Sequence, residues 1–224
     1  MYGDEGFTIF DLQLWAEGLG ISFGIFLASS VFGLLLGSII GLIRYYKVIG
    51  IGSLLMLGSE FLKNSPVLVQ LFLVYFGVPA LLTIDLSPME AAIITLTGNT
   101  AAFIAVIVIS SIDAIDKKQL EAARSFALSE WQILRLIIYP QSLAFAMPMF
   151  VSLAINQLQV TSLISVIGVV DLTRVGDIIN QRTFEPFIVW PIIGVTYFIL
   201  AKLVERIGTR LEQRFSVHQI RSEI

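Results

Sequence analysis

Residues 121–140 read EAARSFALSEWQILRLIIYP, and the placement of this stretch decides the fold. It opens polar, with Glu121, Arg124, Ser125, Ser129 and Glu130, turns apolar from Ile133 to Tyr139, and runs into Pro140. Ala, Leu, Glu, Arg and Gln favour helix. Asp116 is placed to cap it, with Lys117 to Gln119 in the first turn. In helical projection Leu120, Ala123, Ala127 and Trp131 share one stripe, with Ala122 and Phe126 beside it. Glu121 and Arg124, at i, i+3, are spaced to pair. The expectation is a short amphipathic helix with a small-residue face flanked by charge. Three placements compete: an ordinary surface helix, a helix lying on lipid, and a helix docked in a groove of a soluble partner. Lipid contact calls for bulky apolar residues opposite Lys and Arg, and an alanine-rich face binds lipid poorly. Docking suits small residues, with charges at the rim to set register.

Around this stretch the chain is lipid-like. Of its 224 residues 56% are hydrophobic and 14% charged, against about 25% charged in a soluble domain, and its mean hydropathy is +0.87. These values place it in the membrane class. A net charge of −3 argues against a nucleic-acid partner. The absence of cysteine removes disulfides, thiolate catalysis and cysteine metal sites, and the single histidine, His218, leaves no basis for a histidine-based centre. The start, MYGDEGFTIFDLQLW, is acidic and does not read as a signal peptide.

A bilayer core needs about 20 mostly apolar residues per helix. Five stretches qualify: roughly 18–43; a second from Ile51, broken at Asn64-Ser65-Pro66 and resuming from Val67 to Leu82; 88–112; 136–156; and 187–204. The run VTSLISVIGVV (160–170) is too short to span. It reads as a re-entrant or interfacial piece, covered by protein or water if it enters the bilayer. Arg44, Lys47, Lys117, Lys118, Arg124, Arg135, Lys202, Arg206, Arg210, Arg214 and Arg221 then fall on one side, eleven of the fourteen basic residues. The positive-inside rule makes that side cytoplasmic, with the N-terminus outside and the C-terminus inside. Asp4, Glu5, Asp11, Asp85 and Glu90 lie outside, as do Arg174 and Arg182. Gly33, Gly37 and Gly41 lie on one face of the first span and invite close approach of another helix of the same chain. GISFG (20–24) matches the G-x-S-x-G nucleophile pattern, but that motif needs a strand-to-helix elbow and a histidine, and Ser22 sits in an apolar helix.

The loop carries a resemblance. Glu121, Ala122, Ala123, Ile137 and Pro140 stand at the spacing of the EAA motif of ABC importer permeases. Ala127 occupies the place where that family has glycine, and Tyr139 the place of a leucine. Alanine lacks glycine's easy access to positive φ, which predicts a less sharp bend. FLKNSPVLVQLFLVYFGVP (61–79), TSLISVIGVVDLTR (161–174) and RTFEPF (182–187) are similar, in order, to segments of the polar amino-acid permeases, with Val160 where the family often has a polar residue.

The resemblance implies an all-α integral membrane protein: about five transmembrane helices, a cytoplasmic coupling helix and the short re-entrant or interfacial segment. It divides into an extracytoplasmic segment (1–17), a permease domain (18–204) with coupling loop 113–135, and a cytoplasmic tail (205–224). The implied activity is import of polar amino acids by alternating access, with no catalysis on bonds. Coupling to a separate ATPase runs through Glu121, Ala122, Ala123, Arg124, Ala127 and Leu128. No G-x-x-x-x-G-K-[ST] phosphate loop is present, so ATP and Mg would be bound by an ABC ATPase dimer. Further implied partners are a second permease subunit, the same or a related chain, and an extracytoplasmic amino-acid-binding protein. The implied location is the bacterial cytoplasmic (inner) membrane. Two rivals stand beside it: an intramembrane enzyme, which needs paired acids, a histidine or a metal cluster within the spans, and an ATP-independent secondary transporter or channel subunit, which usually shows an intramembrane ionisable relay or an internal repeat; the sequence shows none of these.

Polar residues inside spans are candidates for the substrate path because they are costly against lipid: Gln70, Asn99, Thr100, Asn156, Gln159, Thr161 and Ser162, with Gln157 in the same cluster. Helix-to-helix hydrogen bonding is the competing explanation for each. Thr161 and Ser162 are placed to cap the short segment, and helix starts near Val67 or Thr161 would favour a substrate carboxylate. Glu60 and Lys63 can pair, or Lys63 can face a central cavity. Pro140 and Pro148 each remove a backbone donor and are expected to kink their helix.

Overall fold

The computed structural model describes residues 8–48 and 50–220, the last five by backbone alone. Asp4, Glu5 and Arg221 lie outside the described residues, as does the side chain of His218. No strand occurs among the described residues. In chain order the helices are α1 (Ile9–Tyr45), α2 (Ile51–Asn64), α3 (Val67–Leu82), α4 (Pro88–Asp113), α5 (Lys117–Ser125), α6 (Glu130–Ile133), α7 (Tyr139–Val160), α8 (Leu172–Thr183) and α9 (Pro186–Ile220). Four continuous helical runs are long and apolar enough to cross a bilayer, five when the bent α2–α3 pair counts as one.

Each helix start has a local cause. Thr8 opens α1 and Ser87 opens α4 with capping boxes closed by Asp11 and Glu90, which satisfy backbone N–H groups left orphaned in the first turn. Asp171 caps α8 through the Arg174 N–H at 2.9 Å. Left-handed residues end two others: Thr83 after α3 and Phe184 after α8.

The first span starts earlier than its apolar stretch. Residues 9–17, part of the expected extracytoplasmic segment 1–17, form the opening turns of α1, and residues 205–220, part of the expected cytoplasmic tail 205–224, continue α9 without interruption. Asp11 explains the first extension. It is 2% exposed and holds the Arg182 side chain at the end of α8 in an ion pair, so α8 covers the opening turns of α1.

The core is built on α1 against α4. A Cβ on Gly33 would lie 2.6 Å from Thr100 Cβ, one on Gly37 2.6 Å from the Ala101 carbonyl and from Ile104 Cβ, and one on Gly41 2.9 Å from Val108 Cβ. The expected glycine face is therefore a backbone-to-side-chain seam inside one chain. Its register rises together on both helices, so α1 and α4 run parallel. Two parallel neighbours require the chain between them to recross the membrane. That return is α2–α3, bent by 115° at the Ser65-Pro66 break. α7 runs antiparallel to α4, with Gln157 beside Leu96 and Phe150 with Ile104 farther down. α9 passes α8 at Gly176 and Ile193 and α7 at Val151 and Gly208.

Two wide turns mark the prolines. Leu73–Gly77 in α3 and Leu134–Ile138 before α7 are π-helical, closed by Val78 N–H to Leu73 O and Tyr139 N–H to Leu134 O. Pro79 and Pro140 follow immediately. A proline clashes with the carbonyl four residues back, and one extra residue in the turn moves that carbonyl aside. The kink expected at Pro140 is thus a π turn, whereas Pro148 sits inside a continuous α7.

The seam sets a test. Gly37→Val is expected to destabilise the chain by about 1–3 kcal/mol through overpacking, while Gly24→Ala, with nothing within 4 Å of its Cβ, holds stability or raises it by up to about 1 kcal/mol. Thermal unfolding in detergent, followed by the size-exclusion monomer peak, reads both.

Candidate functional site

The loop between α4 and α7 is rigidly mounted. Asp116 caps α5 as expected, accepting the Lys118 N–H at 2.9 Å. Leu120 and Ala123 are buried with Ile112, Ile115, Ile133 and Ile138 in a cluster at the end of α1 and α4. Gln141 donates to Gln119 at 2.9 Å and ties α5 to α7. Outward stand Glu121, Ala122, Arg124, Ser125, Phe126 and Ala127, all exposed, with Leu128 half-buried.

Three expectations change here. One helix does not run through Trp131: α5 ends at Ser125, a turn follows, and Ser129 opens α6 with its own capping box to Gln132. The stripe Leu120, Ala123, Ala127, Trp131 is therefore split, its first half buried in the chain's own core and its second half exposed. Ala123 cannot meet a partner directly. Second, Arg124 pairs with Glu130 across the turn at 2.9 Å, not with Glu121. That carboxylate, through its hydrogen bond, raises the Arg124 pKa above its ordinary value. Third, the bend is sharp despite the missing glycine. Ala127 takes φ +57°, and the Leu128 N–H reaches back to Ala123 O at 3.2 Å while the Ala127 N–H bonds Arg124 O. This is a left-handed helix ending, at a cost of about 1–2 kcal/mol for a residue with a Cβ. Phe126 and Trp131, expected on or beside the small-residue stripe, are instead large exposed side chains at the turn, at 82% and 69% exposure. The signal in the sequence is two aromatics within four residues of Ala127.

The polar residues within the spans sort into two groups. Gln70 and Asn99 are buried and meet at the α2–α3 break. The Gln70 amide donates to Leu62 O at 2.6 Å and Ser65 O at 2.9 Å, and Asn99 donates to Leu62 O at 3.2 Å and to Gln70 Oε1 at 3.3 Å. These side chains satisfy carbonyls that the broken helix leaves open. Gln157 likewise bonds Ser29 Oγ at 3.0 Å and Leu96 O at 3.3 Å, joining α7 to α1 and α4. Thr100 is buried at the Gly33 contact, and its hydroxyl has no hydrogen-bond partner among the described residues. It lines a small cavity of about 170 Å³ with Ser30, Phe150 and Gln157. Asn156 and Gln159 are exposed on α7.

Thr161 and Ser162 do not cap a helix start. The 3₁₀ segment Thr161–Ile167 continues directly from α7, and both hydroxyls donate backward, to Leu158 O and Gln159 O at 2.7 and 2.8 Å. No free helix N-terminus exists at Thr161 to receive a carboxylate. The α3 start lies beside Gln70 without a side-chain cap. Lys63 pairs with Glu60 at 3.0 Å. Ser22 is buried and accepts the Leu172 N–H at 3.0 Å, a packing role in place of the nucleophile pattern. Beside it lies a polar cluster that went unread: Asp171 is fully buried and accepts from Tyr197 at 3.3 Å, with Thr173 3.0 Å from the same phenol.

Two expectations follow. Gln70→Leu leaves the Ser65 carbonyl without its donor and lowers stability by about 1–3 kcal/mol, whereas Gln159→Leu, on an exposed face, changes it by less than about 0.5 kcal/mol. At the turn, Ala127→Gly holds or raises the unfolding temperature, and Ala127→Val lowers stability by about 1 kcal/mol or more. Thermal unfolding of the purified chain checks all four.

Comparison with known proteins agrees with this geometry. The family described as "Binding-protein-dependent transport system inner membrane component" matches residues 33–217. The chain is 33% identical over 209 residues to the L-cystine transport system permease protein TcyL of Bacillus subtilis, covering 91% of this chain and 87% of that one. It is 30% identical over 207 residues to the glutamine transport system permease protein GlnP of Escherichia coli, with 92% and 94% covered. A crystal structure of an amino acid ABC transporter with histidines superposes with a TM-score of 0.84 at 29% identity, covering 91% of this chain and 94% of that one. The chain belongs to the inner membrane components of binding-protein-dependent transport systems, among the permeases of amino-acid ABC transporters.

Proposed function

We propose that this chain forms the membrane path of an ATP-driven importer for polar amino acids and is driven through the α5–α6 turn by a separate ABC ATPase dimer. The observation that carries the reading is the mounting of that turn. Leu120 and Ala123 key α5 into the ends of α1 and α4, and Gln119 ties it to α7. Arg124 and Glu130 brace the turn from outside. A push on the exposed Glu121, Ala122 and Phe126 face therefore reaches three spanning helices at once.

Closure of the ATPase on ATP and Mg displaces α5. α4 and α7 follow, and a second permease subunit, the same or a related chain, moves against this one to alternate access. The exposed apolar flank of α2 and α3, including Leu54, Phe61, Phe72 and Phe76, is available to that subunit. An extracytoplasmic binding protein delivers the substrate. The loop 113–135 faces the cytoplasm of a bacterium, the N-terminus lies outside and the C-terminus inside, in keeping with the distribution of basic residues. Uncharged amides and hydroxyls on α4 and α7 supply both the acceptor and the donor that an amino-acid zwitterion requires. Asn156 and Gln159, exposed on α7, make no side-chain hydrogen bond among the described residues, and Thr100 borders the small cavity that Gln157 also lines. Gln70 and Asn99 support the path by holding the α2–α3 break.

The test is co-purification. The tagged chain is co-expressed with its neighbouring genes and solubilised mildly. A soluble ATPase is expected to be retained, and Glu121→Lys to lose it while the chain keeps its unfolding temperature. Failure of the unmutated chain to retain any ATPase under several mild conditions removes the coupling reading.

A further inference from the structure

The far half of α9 carries a feature that neither the fold nor the coupling loop uses. Lys202, Arg206, Arg210 and Arg214 recur at every fourth residue, so they form one stripe about 18 Å long. All four are exposed. Gly208 faces the bundle against Val151. At 100° per residue Arg206 and Arg210 lie on nearly the opposite side, pointing away from the protein. Lys202 is neutralised by Glu205 at 2.6 Å, whereas Arg206, Arg210 and Arg214 have no acidic partner among the described residues. Beside them runs a second stripe, Leu203, Ile207 and Leu211, also exposed at 51%, 60% and 42%. Since the apolar stretch of α9 runs over 187–204, this face begins where that stretch ends and extends toward the end that carries the α5–α6 turn.

Three guanidiniums without an acidic partner among the described residues, beside an apolar strip, match one ligand chemistry closely. We propose that the outward face of α9 from Leu203 to Arg214 binds an anionic phospholipid of the leaflet on the α5–α6 side. Arg210 and Arg214 hold the phosphate, and Arg206 reaches it by extending along the helix, as long cationic side chains do at a membrane boundary. The acyl chains lie on Leu203, Ile207 and Leu211. Guanidinium is suited to this because its planar donor fork engages two phosphate oxygens at once. The proposal rests on the chain being a membrane permease, but not on its coupling to an ATPase.

The measurement is lipid retention. The full chain, with whatever subunits co-purify, is placed in nanodiscs containing equal parts phosphatidylglycerol and phosphatidylcholine. Lipids that remain after detergent extraction are counted by native mass spectrometry. Phosphatidylglycerol is expected to be retained over phosphatidylcholine. The triple variant R206Q/R210Q/R214Q should lose that preference, with affinity falling about a hundredfold, since each basic residue near an anionic surface contributes roughly fivefold. R206K/R210K/R214K should keep a reduced preference, and Arg174→Gln on the other side should keep all of it. Inorganic phosphate at millimolar concentration should not displace the lipid, because it lacks the acyl contact. Equal retention of both lipids by the unmutated chain overturns the proposal, as does an unchanged preference in the triple glutamine variant or displacement by free phosphate. ATPase co-purification, scored on the same samples, is expected to be unaffected by the triple variant. Its loss from the unmutated chain would count against the coupling reading alone.

Discussion

The contact on which the architecture depends is the seam between α1 and α4. In lipid no hydrophobic gain separates a helix-to-helix contact from a helix-to-lipid contact, so association rests on close packing. Gly33, Gly37 and Gly41 let the α1 backbone approach Thr100, Ala101, Ile104 and Val108 to a distance that any side chain would forbid. The seam also fixes direction. Once α1 and α4 are parallel, the α2–α3 pair must carry the chain back, α7 must enter antiparallel, and the α5–α6 turn must lie at the end where α1 and α4 finish. Topology here is a consequence of three missing β-carbons.

The second constraint is that backbone polar groups must find partners away from water. The break at Ser65-Pro66 opens carbonyls in a region where lipid offers no donor. Gln70 and Asn99 close them. Amides that look like substrate ligands in the sequence are therefore first of all the repair of a bent helix. The same economy holds for Gln157 with Ser29 and Leu96, and for Ser22 with the Leu172 N–H.

These cases show what the sequence could reveal. Membrane class, the spans and the helix break follow from long-range apolar composition and proline placement, which lipid enforces strictly. The Asp116 cap and the glycine face were legible because each depends on a few neighbouring residues. The division of the 121–131 stripe into a buried and an exposed half was not legible. Both halves are small and apolar, and only the turn at Ala127 separates them. The positive φ there contradicts the local preference of alanine, and tertiary anchoring on both sides prevails over that preference. α8 was missed as a helix because its pattern, with Arg174, Asp177 and Arg182, is that of a polar surface piece. Its role appears only when Asp11 and Arg182 meet across 171 residues of chain. Among the candidate path residues, type alone could not separate amides that mend the backbone from amides left free.

The two π turns have a further consequence for how chains of this family can vary in length. Each holds one residue more than an α-helix of the same rise would use. Removing a single residue between Leu73 and Gly77, or between Leu134 and Ile138, together with replacing Pro79 or Pro140, would restore ordinary winding and leave the faces on either side in their present orientation. The same deletion in the middle of α1 or α4 would rotate everything beyond it by about 100° and turn the glycine seam out of contact. These turns are thus the places where a spanning helix can lose a residue, with its proline, without disturbing its neighbours. A one-residue gap that aligns there between relatives is a change of winding, with no change of register.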